Sequence, residues 1–206
     1  MSVTASVAPP PAPAAPSAAA AAARRSRRPG RRALVLVLVA IVSAATAFAA
    51  TTLVRGHAAP RPGLAPGVPT VLSIPDVAAV AKAVGHPVYG AGAQPGTRLE
   101  VTRSASGETW VRYLTAAARP GDPRAGFLTV GTYRQPGALA AAQKAAKGAR
   151  TKSAAIPGGG LMLWSLDRPT SVYVAKPASD LLIEVYSPDA GQAQGLARGG
   201  AILPLG

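Results

Sequence analysis

Two glutamates on predicted strands are the side chains with the clearest potential for acid–base chemistry. Glu100 lies in the run TRLEVTR and Glu184 in the run LLIEVYS. If the two strands bring these carboxyl groups together, they would form the acid and base pair of a glycosidase. Strand carboxylates more often pair with arginines, and Arg98, Arg112 and Arg168 are available partners. The pattern therefore favours ion pairs within a sheet over a catalytic pair.

Other signatures of catalysis or cofactor binding are missing from the sequence. The chain has two histidines, His57 and His86, and no cysteine, so neither histidine has the companions of a metal site. His86 is the only plausible general base, and no G-x-S-x-G or S-x-x-K motif supplies a nucleophile. The glycine-rich runs at 90–96 and 157–160 lack the features of a dinucleotide loop or a phosphate loop. We therefore expect no catalytic residue, no cofactor and no metal, and a protein that is not an enzyme.

The aromatic side chains are the remaining candidates for a site. Most lie on predicted strands, where they would supply the bulky part of an alanine-rich core. If one face of the sheet is open, Trp110 and Arg112, with Trp164 beside them, could instead form a platform for a ligand. The tyrosines and tryptophans are Tyr89, Trp110, Tyr113, Tyr133, Trp164, Tyr173 and Tyr186.

The elements that must position these residues are short strands and a few helices. The run SIPDVAAVAKAVG predicts a helix that begins after Ser73 and ends at Gly85. QPGALAAAQKAAKG (135–148) predicts a second helix, and a third begins near Asp189. Alternating or continuous apolar runs predict strands at 97–103, 108–114, 127–133, 161–166, 171–176 and 181–187, with an edge strand before Pro157 and a last strand at 201–205.

This order predicts an α+β fold, in which helices pack on one face of an antiparallel sheet. The runs FLTVGTY and LLIEVYS each precede a proline and then a helix, so the domain divides into two β-β-β-α units. Because the two units share little residue identity, internal duplication and chance similarity both remain open explanations.

The N-terminal part of the chain predicts a membrane anchor. Residues 33–54 form a run of 22 residues without a charge, which is long enough for a helix to cross the roughly 30 Å hydrocarbon core of a bilayer. Arginines cluster before this run, and only Arg55 directly follows it, so the positive-inside rule predicts a cytoplasmic N-terminus. The cluster consists of Arg24, Arg25, Arg27, Arg28, Arg31 and Arg32.

A cleavable signal peptide is the main alternative to this anchor. Ala47-Phe48-Ala49 has the A-x-A form of a cleavage site, and cleavage near Ala49 would release a secreted protein. The apolar run continues past this site to Val54 and is longer than the roughly 7 to 15 residues of a usual signal-peptide core. We therefore favour an uncleaved signal anchor.

Four segments follow from these observations. We expect residues 1–32 to be a disordered Pro/Ala-rich cytoplasmic tail that ends in the arginine cluster, and residues 33–54 to be the transmembrane helix. Residues 55–69 are predicted to be a Pro-rich linker, and residues 70–206 the extracytoplasmic α+β domain.

The charge of the chain does not indicate a nucleic-acid-binding protein. Residues 1–55 carry seven arginines and no acid, while the rest carries 15 basic and 8 acidic groups, so each part has a net charge of +7. The second half of the charge is scattered, and aromatic residues make up only 4% of the chain. We expect attraction to anionic headgroups or cell-wall polymers instead.

The run PVYGAG-x-QPGTRLEVTR, followed by VRYL, FLTVGTY and RPTSVYVA, resembles the extracytoplasmic domain of uncharacterised single-pass membrane proteins of actinobacteria. The resemblance covers residues 87–187 and implies the same location in the cell. That family has no assigned activity, so the resemblance contributes no catalytic residue.

The function expected from the sequence is that of a single-pass membrane protein whose exported domain binds a ligand or partner at the cell envelope. An envelope hydrolase would require a cleft that gathers Glu100, Glu184 or His86. A transmembrane regulator would require a folded partner site on the cytoplasmic side, and residues 1–32 are too short and featureless to form one unaided.

Overall fold

The computed structural model describes residues 64–205 of the chain. The predicted tail (1–32), transmembrane helix (33–54) and most of the linker therefore lie outside the described residues. Within residues 64–205, no helix is long and apolar enough to cross a membrane. The elements are β1 (Thr70–Leu72), α1 (Ile74–Val84), β2 (Tyr89–Gly90), β3 (Thr97–Arg103), β4 (Thr109–Thr115), β5 (Thr129–Arg134), α2 (Ala138–Ala145), β6 (Thr151–Ile156), β7 (Gly160–Ser165), β8 (Arg168–Ala175), β9 (Leu181–Tyr186), α3 (Ala190–Arg198) and β10 (Leu203–Pro204).

The described residues form an α+β fold, as predicted. Eight strands make one antiparallel sheet in the order β1-β3-β4-β5-β9-β8-β7-β6, and β2 pairs with β10 in a separate two-stranded ladder. The two halves of the chain meet in the middle of the sheet, where β5 pairs with β9 from Thr129↔Tyr186 to Arg134↔Leu181. β6 forms one edge of the sheet, in agreement with the predicted edge strand.

Local signals explain where α1 begins and ends. The Asp76 carboxylate accepts a hydrogen bond from the backbone N–H of Ser73 at 3.3 Å, which satisfies a donor at the start of the helix. Gly85 ends the helix in the left-handed conformation, with φ of 72°, and its N–H donates to the carbonyl of Ala81 at 2.9 Å.

The helices cover both faces of the sheet, so the prediction that they pack on one face is wrong. Val77 of α1 and Ala193 of α3 belong to one buried cluster, together with strand residues such as Val174. Ala142 of α2 belongs to a second cluster, on the side of Tyr173. Because consecutive strand residues point to opposite faces, Tyr173 and Val174 mark two sides of the sheet. We call these sides the α1/α3 face and the α2 face.

The two β-β-β-α units are present in element order, as β3-β4-β5-α2 and β7-β8-β9-α3. Their packing differs. Aligning Pro136 with Pro188 makes Val130 equivalent to Leu182, but Val130 lies on the α1/α3 face and Leu182 on the α2 face. Strands β5 and β9 are antiparallel neighbours, so a two-fold axis that exchanged the two units would run perpendicular to the sheet. Such an axis would leave equivalent residues on the same face. The repeated order is therefore not a repeat of the packing.

The position of α2 can be tested with a pair of substitutions in the same helix. Ala142 is buried against the α2 face, whereas Ala140 is exposed. Ala142→Leu should lower the free energy of unfolding by about 1–3 kcal/mol, because the added carbons overpack a filled interface. Ala140→Leu should change it by less than about 0.5 kcal/mol. Urea denaturation followed by tryptophan fluorescence measures both, and equal effects would contradict the assigned packing.

Candidate functional site

The structure does not assemble the predicted ligand platform. Trp110 and Arg112 share the α2 face of β4, since they are two residues apart on one strand. Trp164 packs against the cluster on the α1/α3 face, and its cross-strand partner is Val172 of that cluster. A sheet separates Trp164 from the other two residues. The prediction that Trp164 lies beside Trp110 is therefore wrong.

Trp110 instead joins a polar network at the centre of the α2 face. One row of paired residues crosses the sheet from Trp110 to Gly131, Glu184 and Tyr173. The indole Nε1–H of Trp110 donates to the hydroxyl of Tyr133 at 3.1 Å, and the two rings meet edge to face with centroids 6.0 Å apart. These two contacts with Trp110 fix the position of the Tyr133 ring.

Gly131 allows Tyr133 to reach across this row. A Cβ on Gly131 would lie 2.7 Å from the Tyr133 hydroxyl oxygen, so the ring rests directly on the glycine. From there the Tyr133 hydroxyl donates to Oε2 of Glu184 at 2.8 Å, and the Tyr173 hydroxyl donates to Oε1 at 3.3 Å. Both carboxyl oxygens of Glu184 therefore have hydroxyl donors.

Burial dominates the proton affinities in this network. It raises the pKa of Glu184, because the charged carboxylate is removed from water, and the hydroxyl donors oppose this shift only in part. It also raises the pKa of Tyr133 and of Tyr173, and the neighbouring Glu184 carboxylate adds to both shifts. Glu184 is only 6% exposed. Its carboxyl is therefore shielded from solvent, between the hydroxyl groups of Tyr133 and Tyr173.

Glu100 is also buried, but in a different arrangement. Its Oε1 accepts a hydrogen bond from the Arg112 guanidinium at 2.8 Å, and its other oxygen accepts one from the backbone N–H of Gly121. Arg112 lies 5.0 Å above the ring of Phe127 and so fastens the loop between β4 and β5 to the sheet. Strands β3 and β9 are three strand spacings apart, or about 14 Å. Glu100 and Glu184 therefore do not form a glycosidase pair.

A groove opens at one end of the sheet, where β5 and β8 end and β9 begins. Its volume is about 570 Å³, and the turn at 177–180 forms one wall. The polar and charged residues that line it come from distant parts of the sequence. They are His86, Tyr89, Arg134, Lys176, Ser179 and Asp180.

Two cations in this groove are anchored by backbone carbonyls. Nη2 of Arg134 donates to the carbonyls of Val84 and Gly85 at 2.9 and 3.0 Å, which caps the end of α1. Nζ of Lys176 donates to the carbonyl of Ile202 at 3.2 Å and lies 4.8 Å from the ring centre of Tyr89. Among residues 64–205, neither cation has a carboxylate within 4.0 Å.

His86 borders the groove, but its geometry does not suit a general base. Nδ1 lies 2.9 Å from the carbonyl oxygen of Pro87, and Nε2 lies 2.9 Å from that of Gly107. Each nitrogen thus faces an acceptor, and neither presents a free lone pair to the groove. His86 therefore connects the segment that follows α1 to the β3–β4 hairpin.

The turn at one wall of the groove contains backbone strain. Ala178 has a φ of 52°, and no other described residue except glycines has a positive φ. This conformation costs a residue with a Cβ about 1–2 kcal/mol. Asp180 stabilises the neighbouring segment, since its Oδ1 accepts a hydrogen bond from the N–H of Gly137 at 3.0 Å.

Within the described part of the chain, no group of three or more His, Cys, Asp or Glu residues could hold a metal ion.

Comparisons of the chain with protein-family models, curated proteins and solved structures found no significant match. The groove is the candidate site, because it combines space with several polar and charged lining residues.

The raised pKa of Glu184 predicts how stability varies with pH. Below the pKa of glutamate in the unfolded chain, both states are protonated and the neutral carboxyl is tolerated in the core. As the pH rises from there to the folded pKa, the unfolded state loses its proton first, so stability falls by up to about 1.4 kcal/mol per pH unit.

Glu184→Gln keeps the shape of the side chain and removes the proton equilibrium. The free energy of unfolding of the natural chain, minus that of Glu184→Gln, should therefore decrease as the pH rises above about 4.5, the ordinary pKa of a glutamate. Urea titrations between pH 4 and pH 8 measure this difference. A difference that increases with pH would show that the carboxylate is stabilised by its site, contrary to our assignment.

The strained turn gives a second prediction. Ala178→Gly should increase the free energy of unfolding by about 0.5–1 kcal/mol, because the relief of strain exceeds the entropy cost of a glycine. The matched change Ala140→Gly, in the exposed face of α2, should decrease it by about 1 kcal/mol. Thermal denaturation of both variants distinguishes them, and a destabilised Ala178→Gly protein would refute the strain.

Proposed function

We propose that the chain is a single-pass membrane protein that holds a ligand-binding module outside the membrane. Residues 33–54 span the lipid bilayer, the arginine cluster keeps the N-terminus in the cytoplasm, and the α+β domain lies in the cell envelope. The groove at the sheet end is the binding site of this module.

The observation that carries the proposal is the groove with its two cations. Arg134 and Lys176 both line one concave region, and neither forms an ion pair among the described residues. Arg134 caps α1 and Lys176 packs over Tyr89, but neither contact neutralises a charge, and like charges in one groove repel each other. A ligand or partner that supplies the missing negative charge accounts for the arrangement.

The buried carboxyl groups support binding over catalysis. Glu184 is enclosed by two tyrosines and Glu100 by Arg112 and a loop, so neither reaches the groove. Asp180 is the one carboxylate in the groove lining. Acid–base catalysis of glycoside hydrolysis needs a pair of carboxyl groups, and the groove offers one.

Site-specific labelling tests the topology directly, because the chain contains no cysteine. Ala105→Cys places a thiol on an exposed turn of the domain, and Ser17→Cys places one in the tail. A membrane-impermeant maleimide should label the first variant in intact cells and the second only after lysis. The reverse pattern would refute the orientation, and a mature chain that starts near Ala50 would establish secretion instead.

Ala178→Cys tests whether the groove is occupied in the envelope. Position 178 is exposed on the groove wall, and Ala105→Cys is the control for accessibility. The ratio of labelling rates, 178 over 105, should be several-fold lower in cells than in the purified protein. Equal ratios would contradict a binding role for the groove.

A further inference from the structure

We propose that the groove binds the phosphate group of an organic phosphate, with Lys176 and Arg134 as its main contacts. The inference deepens the proposed function and depends on it, since it names the chemical class of the ligand. Three features of the groove carry it: the excess of hydrogen-bond donors, the partial desolvation of the lysine, and the apolar wall next to the cations.

The first feature is the number of unused donors. An arginine has five N–H donors, and Nη2 of Arg134 is the nitrogen that meets the carbonyls of α1, which leaves Nε and Nη1. The ammonium of Lys176 has three donors, and one meets the carbonyl of Ile202. Phosphate oxygens accept several hydrogen bonds each, so they match a donor-rich site.

The second feature is the state of Lys176. Its side chain is half-buried over the ring of Tyr89, and burial lowers its pKa from the usual lysine value. A cation that has lost part of its water shell gains more from a bound anion than a fully hydrated one. The formal charge of the groove is +1 from Arg134, Lys176 and Asp180, and the Asp180 carboxylate already accepts from Gly137.

The third feature is the apolar wall. Pro87, Pro136 and Pro177 line the groove, together with the ring of Tyr89. The volume of about 570 Å³ lies within the range of small-molecule sites, which is roughly 300–1,000 Å³, and exceeds what a bare anion needs. The phosphate would lie at the cations, and the organic group attached to it would lie against the prolines and the tyrosine.

Calorimetry with the purified full chain in neutral detergent tests the proposal. The probe is phenyl phosphate, which carries a phosphate on an apolar ring, and phenol and benzoate are the matched ligands. Phenyl phosphate should bind at least tenfold more tightly than either. Lys176→Met keeps the apolar stem over Tyr89 and removes the charge, so it should weaken binding of phenyl phosphate about tenfold or more.

Lys152→Met is the control variant, since Lys152 is exposed on β6 at the far edge of the sheet. It should leave the affinity unchanged. Absence of phenyl phosphate binding, or binding that Lys152→Met and Lys176→Met weaken equally, would overturn the proposal. If Ala178→Cys is protected in cells while phenyl phosphate fails to bind, the binding module stands and the phosphate assignment falls. If Ala178→Cys is not protected in cells and phenyl phosphate does not bind, both the binding module and the phosphate assignment are refuted.

Competition identifies the source of the phosphate. Glycerol 3-phosphate represents a soluble organic phosphate, and dihexanoylphosphatidylglycerol below its micelle concentration represents a lipid headgroup. Displacement of phenyl phosphate at lower concentration by one of them supports that source. Displacement by neither would show that the ring, and not the phosphate, is recognised, which would refute the proposal.

Discussion

The pairing of β5 with β9 is the constraint on which the rest of the domain depends. These strands come from different halves of the chain, and their ladder of six residue pairs joins the halves into one sheet. The register sets Gly131 directly opposite Glu184, which creates room for the ring of Tyr133. A shift by one residue would turn the glutamate toward the valines of the α1/α3 face. The polar network at the sheet centre therefore favours this register over its neighbours.

Coverage of both sheet faces directs function to the ends of the strands. Helices α1 and α3 pack on one face, and α2 with the loop between β4 and β5 covers much of the other. The groove lies where the sheet stops and three turns meet, so it can present cations without burying them completely. Connecting segments held by a rigid scaffold are the usual place for binding residues, and the strained Ala178 lies in such a segment.

Much of the secondary structure could be predicted from the sequence because the signals are local. The alternation in TRLEVTR gives β3 with its observed bounds, and caps such as Ser73 and Gly85 mark α1. The face that each helix covers depends on contacts between distant strands, and for α2 the prediction was wrong. The position of Trp164 could not be predicted for the same reason. Its side chain lies on the α1/α3 face because Trp164 pairs with Val172, and no local pattern in the sequence indicates this pairing.

The groove could not be predicted from the sequence, because its lining residues are distant from one another along the chain. Tyr89, Arg134, Lys176 and Asp180 stand singly in the sequence, each at the end of a strand or in a turn, and no motif joins them. Only the order of strands brings them together. A weak signal does exist, since Arg134 and Lys176 both directly follow the buried residues of a strand. A cation directly after the buried residues of a strand is also typical of ordinary solvated strand ends, so this position alone does not identify a site.

Chemical-shift mapping tests most directly whether the groove, and not a sheet face, is the binding surface. Backbone amide spectra of the ¹⁵N-labelled full chain would be recorded while phenyl phosphate is added. If the groove binds the ligand, the largest shifts fall in residues 134–137 and 176–181, with little change in the row from Trp110 to Tyr173. Shifts concentrated on that row, with the groove residues unchanged, would show that the sheet face and not the groove is the binding surface.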